Sequence, residues 1–286
     1  MSKYVLLVES GADVTPELAE QHNIRIVPMH VYLGETSIRD GEVPVEDVFS
    51  FFDKTHILPK TSGCMPSDFS KVFDEIHAEY PKATIIHLAY SAVTTCSYES
   101  AMSAAEGRDY VKHYDTKNVS IGQAMIALSV AAFLERNPEV TYNELDQVIQ
   151  DRINRARMAF MPEALDYLHA GGRLSNIAFI SARTLKFKPL IEVVEGKLIA
   201  TKKYRGSMKA AVGKMIHSYL ESTPLNKDFL YLVYSPGLSQ DIKILAEKLV
   251  RDFGFKKYRW LKTGCVVSSH GGPGAFGVAG LAENAS

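Results

Sequence analysis

Short apolar runs alternate with helix-forming segments through the first half of this chain, and no other feature constrains its fold as strongly. Tyr4-Val5-Leu6-Leu7-Val8 is a wholly apolar run of one strand's length, the mark of a strand buried on both faces. The loop Ser10-Gly11-Ala12-Asp13 follows, and then a helix with Thr15 as N-cap and Pro16 at its first position. Ile24–Leu33 reads as strand, with Pro28 marking a break or an edge. The pattern predicts helices over Pro44–Phe52, Pro66–Tyr80, Thr95–Glu106 and Gly122–Glu135, and strands over Ala83–Leu88 and Tyr110–Tyr114. Such alternation gives a parallel sheet flanked by helices. Ligands on these sheets gather at loops beyond the carboxyl ends of the strands. Here those loops are residues 9–13, 89–95 and 115–121.

The pattern changes after a charged helix over Thr141–Arg157. Phe187–Val194 and Lys197–Tyr204 flank Glu195-Gly196 as a tight hairpin. A helix near 207–221, a strand over Phe229–Tyr234, a helix near 239–252 and strands at Tyr258–Leu261 and Gly264–Val267 complete the reading. The fold class is therefore α/β in two domains. Residues 1–157 form the domain with the parallel sheet, and residues 158–286 form a mixed α/β domain with an antiparallel component.

Composition excludes several functions. The 286 residues carry a net charge of −1, and nothing in that balance implies nucleic acid as partner, whose binding needs clustered positive charge. No apolar stretch approaches the ~18 residues of a membrane span, and no signal-peptide pattern precedes the first strand. Cys64, Cys96 and Cys265 are odd in number and widely spaced, which suits a reducing compartment and a cytoplasmic location. The same spacing, with no CxxC pair, disfavours a Cys₃His zinc site with His270.

Several loops carry polar chemistry. Ser268-Ser269-His270-Gly271-Gly272-Pro273-Gly274-Ala275-Phe276-Gly277 places one imidazole beside two hydroxyls, with four glycines in seven positions. That density of glycine costs chain entropy, so it implies backbone N–H groups approaching a ligand, or simply a turn before a final helix. Pro59-Lys60-Thr61-Ser62-Gly63 puts two hydroxyls in a loop; Thr61 or Ser67 would cap the next helix, or the hydroxyls would cradle an anion. Ala89-Tyr90-Ser91-Ala92-Val93-Thr94-Thr95-Cys96 leaves a buried strand and opens a helix, an anion site by dipole and free N–H groups. It contains no glycine, which disfavours a nucleotide phosphate loop. Gly171 and Gly172 precede Arg173, where Gly171 suits a helix C-cap and Arg173 an anion contact. Arg205 closes a strand beside Lys202 and Lys203.

Taken in order, Ser10–Asp13, Ile26-Val27-Pro28, Arg39-Asp40-Gly41, Pro59–Ser62, the Ser91 loop, Gly171–Ser175, Arg205-Gly206 and His270–Gly274 resemble the DegV family, the bacterial fatty-acid-binding proteins that serve fatty acid kinase. The resemblance covers essentially the whole chain. It implies a two-domain protein that binds one long-chain fatty acid, with the acyl chain in an apolar tunnel of the second domain and the carboxylate at the domain interface. It implies Thr61, Ser62, Ser91 and His270 as carboxylate-binding residues. Arg173, Arg205, Gly271 and Gly272 are implied in the surrounding network or in partner contact. It further implies a non-catalytic subunit that presents the carboxylate to an ATP-dependent kinase subunit for acyl-phosphate formation, with no cofactor and no metal, and with transient contact to a membrane surface. The sequence departs from the family at Glu9, where an aspartate is usual, and at Tyr90, Thr95 and Cys96, where the family loop commonly reads Ser-Ser-x-Leu-Ser-Gly-Thr. The alternative function is an acyl ester or thioester hydrolase with Ser91 as nucleophile and His270 as base, although the GxSxG pattern is absent.

Overall fold

A computed structural model describes residues 3–173 and 187–283. The chain opens with strand β1 (Tyr4–Glu9), one turn of 3-10 helix (Ser10–Ala12), helix α1 (Pro16–Gln21) and strand β2 (Ile24–Val27). Thr15 Oγ1 accepts from Leu18 N at 3.4 Å, as its N-cap role requires. At Pro28 the expected long strand breaks. β3 (His30–Leu33) turns away into a small antiparallel sheet with β4 (Thr36–Arg39) and, after α2 (Val45–Thr55), with β5 (Lys60–Ser62). Helix α3 (Pro66–Glu79), β6 (Thr84–Ala89), α4 (Ser97–Ala104), β7 (Val111–Asp115), α5 (Ser120–Arg136) and α6 (Tyr142–Arg155) follow. Four strands make a parallel sheet in the order β2-β1-β6-β7.

The rest of the chain runs β8 (Ala156–Met161), α7 (Leu165–Ala170), β9 (Phe187–Val194), β10 (Lys197–Arg205), α8 (Met208–Ser222), β11 (Leu230–Tyr234), α9 (Gln240–Asp252), β12 (Tyr258–Lys262), α10 (Cys265–Gly271) and β13 (Phe276–Leu281). The second sheet has six strands in the order β10-β9-β8-β13-β11-β12, antiparallel except for β11 against β12. The α/β class with a parallel and a mixed sheet is thus the observed one.

Helix α5 explains how the two sheets join. It is apolar on nearly every side, the pattern of a helix with no solvent face. Its residues pack against Leu6, Val8, Ile86 and Leu88 of the first sheet and against Met158, Val233 and Ala279 of the second, within one continuous core. α3 and α4 cover the far face of the first sheet, and α8 and α9 cover the far face of the second.

Four local expectations are corrected. The helix expected to reach Arg157 ends at Arg155, and Ala156–Met161 is a strand. Residues 264–267, expected as strand, begin helix α10. The glycine-rich turn leads into β13 rather than a final helix. Neither Thr61 nor Ser67 caps α3: Met65 holds that position, and Asp68 accepts from its N–H at 2.8 Å. The Glu195-Gly196 turn is as expected, with both residues at positive φ (47° and 79°), which suits a two-residue hairpin. Leu174 and Ser175, at the end of the Gly171–Ser175 motif, lie outside the described residues.

Candidate functional site

Between the two sheets lies a cavity of about 580 Å³, well within the size of small-molecule sites. One wall is apolar: Met158 and Phe160 of β8, Leu198 of β10, Val233 of β11 and Phe276 of β13. Met158, Phe160, Leu198 and Val233 share one face of the second sheet, whereas Phe276 is in register with Met161 and Tyr234 on the other face and lines the cavity from the start of β13. The other wall is polar and comes from strand β5, two loops and a helix end, with Thr61, Ser62, Thr94, Thr95, Arg173 and His270.

Thr61 and His270 stand 209 positions apart in the chain, yet Thr61 Oγ1 and His270 Nε2 share a hydrogen bond of 2.7 Å. Thr61 is placed by β5, where it pairs with Val31 of β3. His270 is placed by the last turn of α10. Burial, and then the nearby Arg173 charge, push the imidazole pKa down to about 4, so His270 is neutral at neutral pH. Its Nδ1 is buried without a hydrogen-bond partner. A Cβ on Gly171 would run into that ring, so the close approach demands glycine there. Gly272 ends α10 at φ 69°, where a side chain would also meet Tyr167 and Ala164. Gly271 lines the cavity directly.

Helix α10 is itself held by two buried carboxylates. Asp13 accepts from Gly264 N at 2.6 Å and from the Ser120 hydroxyl, and Asp40 accepts from Cys265 N at 2.8 Å and Val266 N at 3.4 Å. Both therefore satisfy N–H groups at the amino end of α10, where negative charge is favoured. Burial raises the Asp13 pKa to about 8, and hydrogen bonds only partly offset it. Asp40 is raised for the same reason. Loop residues 9–13 thus support the site from behind, while residues 89–95 and 115–121 reach its lining through Tyr90, Ala92, Val119 and Ser120.

The loop after β6 differs from expectation. Ser91 is fully buried, does not line the cavity, and donates from its hydroxyl to Gly196 O at 2.8 Å. It joins the hairpin of the second sheet to the first half of the molecule. Thr94 and Thr95, which sequence reading quoted but did not single out, line the cavity in its place, with the Thr94 hydroxyl donating to Ser91 O at 2.9 Å and the Thr95 hydroxyl sharing a hydrogen bond of 3.1 Å with Ser97 Oγ. Nothing local marks them out, because Ser91, Thr94 and Thr95 belong to one run of hydroxyl residues. The Ser91–His270 pair that a hydrolase needs is not formed: Ser91 is bound to Gly196 and His270 to Thr61.

Arg173 is exposed and spans both halves, donating to Thr94 O at 2.8 Å and to Gly171 O. Ser62 lines the cavity, and its hydroxyl makes no hydrogen bond among the described residues. Arg205 lies on exposed β10, outside the cavity lining. Glu9 holds the Ser91 loop from below: its buried carboxylate accepts from Tyr90 N at 2.8 Å and Gln123 Nε2 at 2.8 Å, and it contacts His87 Nε2 at 3.2 Å. Paired in this way, Glu9 keeps its pKa low although burial opposes that. Among the described residues no cluster of His, Cys, Asp or Glu has the arrangement of a metal site, and no helix is long and apolar enough to cross a membrane.

Known proteins share this fold. A DegV domain-containing protein of Clostridium perfringens is 28% identical over 277 residues, covering 96% of each chain. A Thermus thermophilus structure, described as fatty acid binding by a DegV family protein, superposes with a TM-score of 0.87 at 23% identity, covering 99% of this chain and all of its own. A Eubacterium eligens DegV family protein, solved loaded with heptadecanoic acid, gives a TM-score of 0.84 at 16% identity, over 98% of this chain and 100% of its own. The sequence model of the DegV family, a family of uncharacterised proteins, matches residues 3–283, from the first strand of the parallel sheet to the last strand of the mixed one, so the chain belongs to the DegV family.

Proposed function

We propose that this protein binds one long-chain fatty acid in the cavity between its sheets. The acyl chain lies against Met158, Phe160, Leu198, Val233 and Phe276, and the carboxylate meets Thr61, Ser62 and His270 at the polar wall. The observation that carries this reading is the Thr61–His270 hydrogen bond on the polar wall of a cavity whose other wall is apolar. A buried carboxylate needs several donors or it neutralises. Hydroxyls and an imidazole supply them, and Arg173 adds a nearby positive charge. Each buried methylene contributes roughly 0.8 kcal/mol, so a chain of this class binds tightly after association costs. The heptadecanoic acid carried by the Eubacterium eligens relative supports the ligand class.

In this reading the protein is a carrier and not a catalyst. Ser91 contributes by docking the loop on Gly196 rather than by touching the ligand. The division of the chain near residue 157 separates the sheet that supplies the loops from the sheet that supplies the apolar wall. Arg173 and Arg205, both exposed, engage an ATP-dependent kinase subunit that phosphorylates the carboxylate in the cytoplasm. Val93, 57% exposed at the cavity lining, gives an apolar rim that touches a membrane surface while lipid exchanges.

Native mass spectrometry of protein purified from a bacterial host tests the ligand. A co-purified fatty acid, lost in a Thr61→Val, His270→Ala double variant that keeps its fold, is the expected result. Folded protein that neither carries nor takes up fatty acid would overturn the proposal. Acyl-phosphate formation on adding a candidate kinase subunit and ATP checks the second step.

A further inference from the structure

A second cavity, of about 730 Å³, opens at the far end of the same elements. Helix α5 reaches the lipid cavity with Ser120 and the second cavity with Arg136, and its 17 residues span roughly 24 Å. Six cationic side chains line this second cavity: Arg136, Arg152, Arg155, Lys256, Lys257 and Arg259. The whole chain has 32 lysines and arginines against 33 acidic residues, so this is a local concentration rather than a general bias.

Helix ends explain only part of it. Arg136 closes α5, and Arg152 and Arg155 close α6, where the dipole favours cations. Lys256, Lys257 and Arg259 come from a different place, the approach to β12 and the strand itself. The available negative charge does not balance the six. Asp228 pairs with Lys256 at 2.7 Å, Asp151 takes Arg152 and Arg155, and Glu135 is held by His22. Counting all three, and about half a negative charge at each of the two helix ends, about two positive charges are left over. That is about the charge of one phosphate monoester.

The donors are also available. Arg152 and Arg155 use Nε and one terminal nitrogen each in the fold, and Arg136 uses only Nε. A guanidinium has five N–H donors in a fork that matches phosphate. None of the unused nitrogens is sealed from solvent without a partner. The floor is not polar throughout: Phe229 and Tyr231 pack against each other with ring centroids 4.8 Å apart, and the Arg259 guanidinium lies 5.9 Å from the Phe229 ring. Cations round an aromatic floor, in a concave site, suit an anion carried on a flat organic body.

We infer that this cavity binds a soluble organic phosphate, a phosphate or diphosphate group borne on a ring system. The inference is independent of the lipid reading, because the two cavities share elements but no lining residue. The test titrates the full-length protein calorimetrically with ADP, and in parallel with pyrophosphate and with a non-phosphorylated nucleoside, at about 0.15 M salt. ADP is expected to bind saturably, the nucleoside not to bind, and affinity to fall as salt rises. The Lys257→Gln, Arg259→Gln double variant is expected to lose at least about tenfold in affinity, since neither side chain makes a hydrogen bond that the fold uses. A Lys202→Gln, Lys203→Gln variant removes equal charge on exposed β10 and is expected to change nothing. Absence of ADP and pyrophosphate binding would overturn the inference. So would equal losses in both variants, which would mean diffuse charge. Attachment only to phosphatidylglycerol vesicles, with no ADP binding, would overturn it too, by identifying the site as a headgroup surface.

Discussion

In the proposed complex His270 meets the fatty acid uncharged. Burial and Arg173 hold its pKa at about 4, and the arrival of a carboxylate beside it works in the opposite direction. Saturation with fatty acid is therefore expected to raise the imidazole pKa, read from the pH dependence of its ring proton shifts; an unmoved pKa would place the carboxylate elsewhere. Two hydroxyl positions separate by measurement. Ser62→Ala is expected to weaken fatty-acid affinity with little change in stability, because that hydroxyl lines the cavity and makes no hydrogen bond among the described residues. Ser91→Ala removes the bond to Gly196 and is expected to cost about 1 kcal/mol of stability, seen as a lower urea midpoint. Asp13 gives a pH signature. Its native pKa of about 8 exceeds the ordinary 3.8, so between those values the native state keeps a proton the unfolded chain has released, and stability falls as pH rises. His113 and His270, both lowered to about 4 from 6.5, act with the opposite sign, but only below 6.5. From pH 6.5 to 8 the carboxyl effect stands unopposed by them. The urea midpoint is expected to fall across that window, and to fall less in Asp13→Asn.

At the scale of elements, α10 is the piece on which the site turns. It is short, it carries His270 at one end, and two carboxylates from distant loops hold the other. Asp40→Ala is expected to cost about 1–2 kcal/mol through loss of that capping and to reduce lipid affinity along with it, measured by thermal unfolding and titration of one preparation. Sequence reading found most elements, because long apolar runs and the N-cap at Thr15 are local signals. It missed α10 and β8 for opposite reasons. Cys265-Val266-Val267 is β-branched and apolar, a strand by propensity, and only the long-range caps Asp13 and Asp40 make it helical. Ala156–Met161 follows a charged helix without a break, so nothing local announces a strand; its partners, β9 and β13, lie far along the chain. Thr61, His270 and Arg173 were legible as a group through family resemblance. The turning away of Ser91 was not, because it depends on where the Glu195-Gly196 hairpin lands.

At the scale of the whole molecule, the two large sheets share one buried helix, the small β4-β3-β5 sheet stands beside them, and the proposed lipid lies between the large two. Ligand that binds only the folded state stabilises it, by about 2.7 kcal/mol at a concentration one hundred times the dissociation constant. Delipidated protein is expected to melt at least about 5 °C below the loaded form, and refilling with fatty acid to restore the difference, as scanning calorimetry would record. The position of β13 carries a consequence for how the protein is made. This strand is the last element among the described residues, yet it pairs on both sides, with β8 and with β11, and Phe276 at its start lines the cavity. A nascent chain can assemble the parallel sheet early, but its second sheet stays split into β10-β9-β8 and β11-β12 until β13 emerges. Two raw strand edges face each other across that gap, the kind of surface that invites chaperones and proteases. Synthesis that stops before Phe276 therefore yields no half-competent carrier, but a polypeptide marked for disposal by its own unpaired backbone.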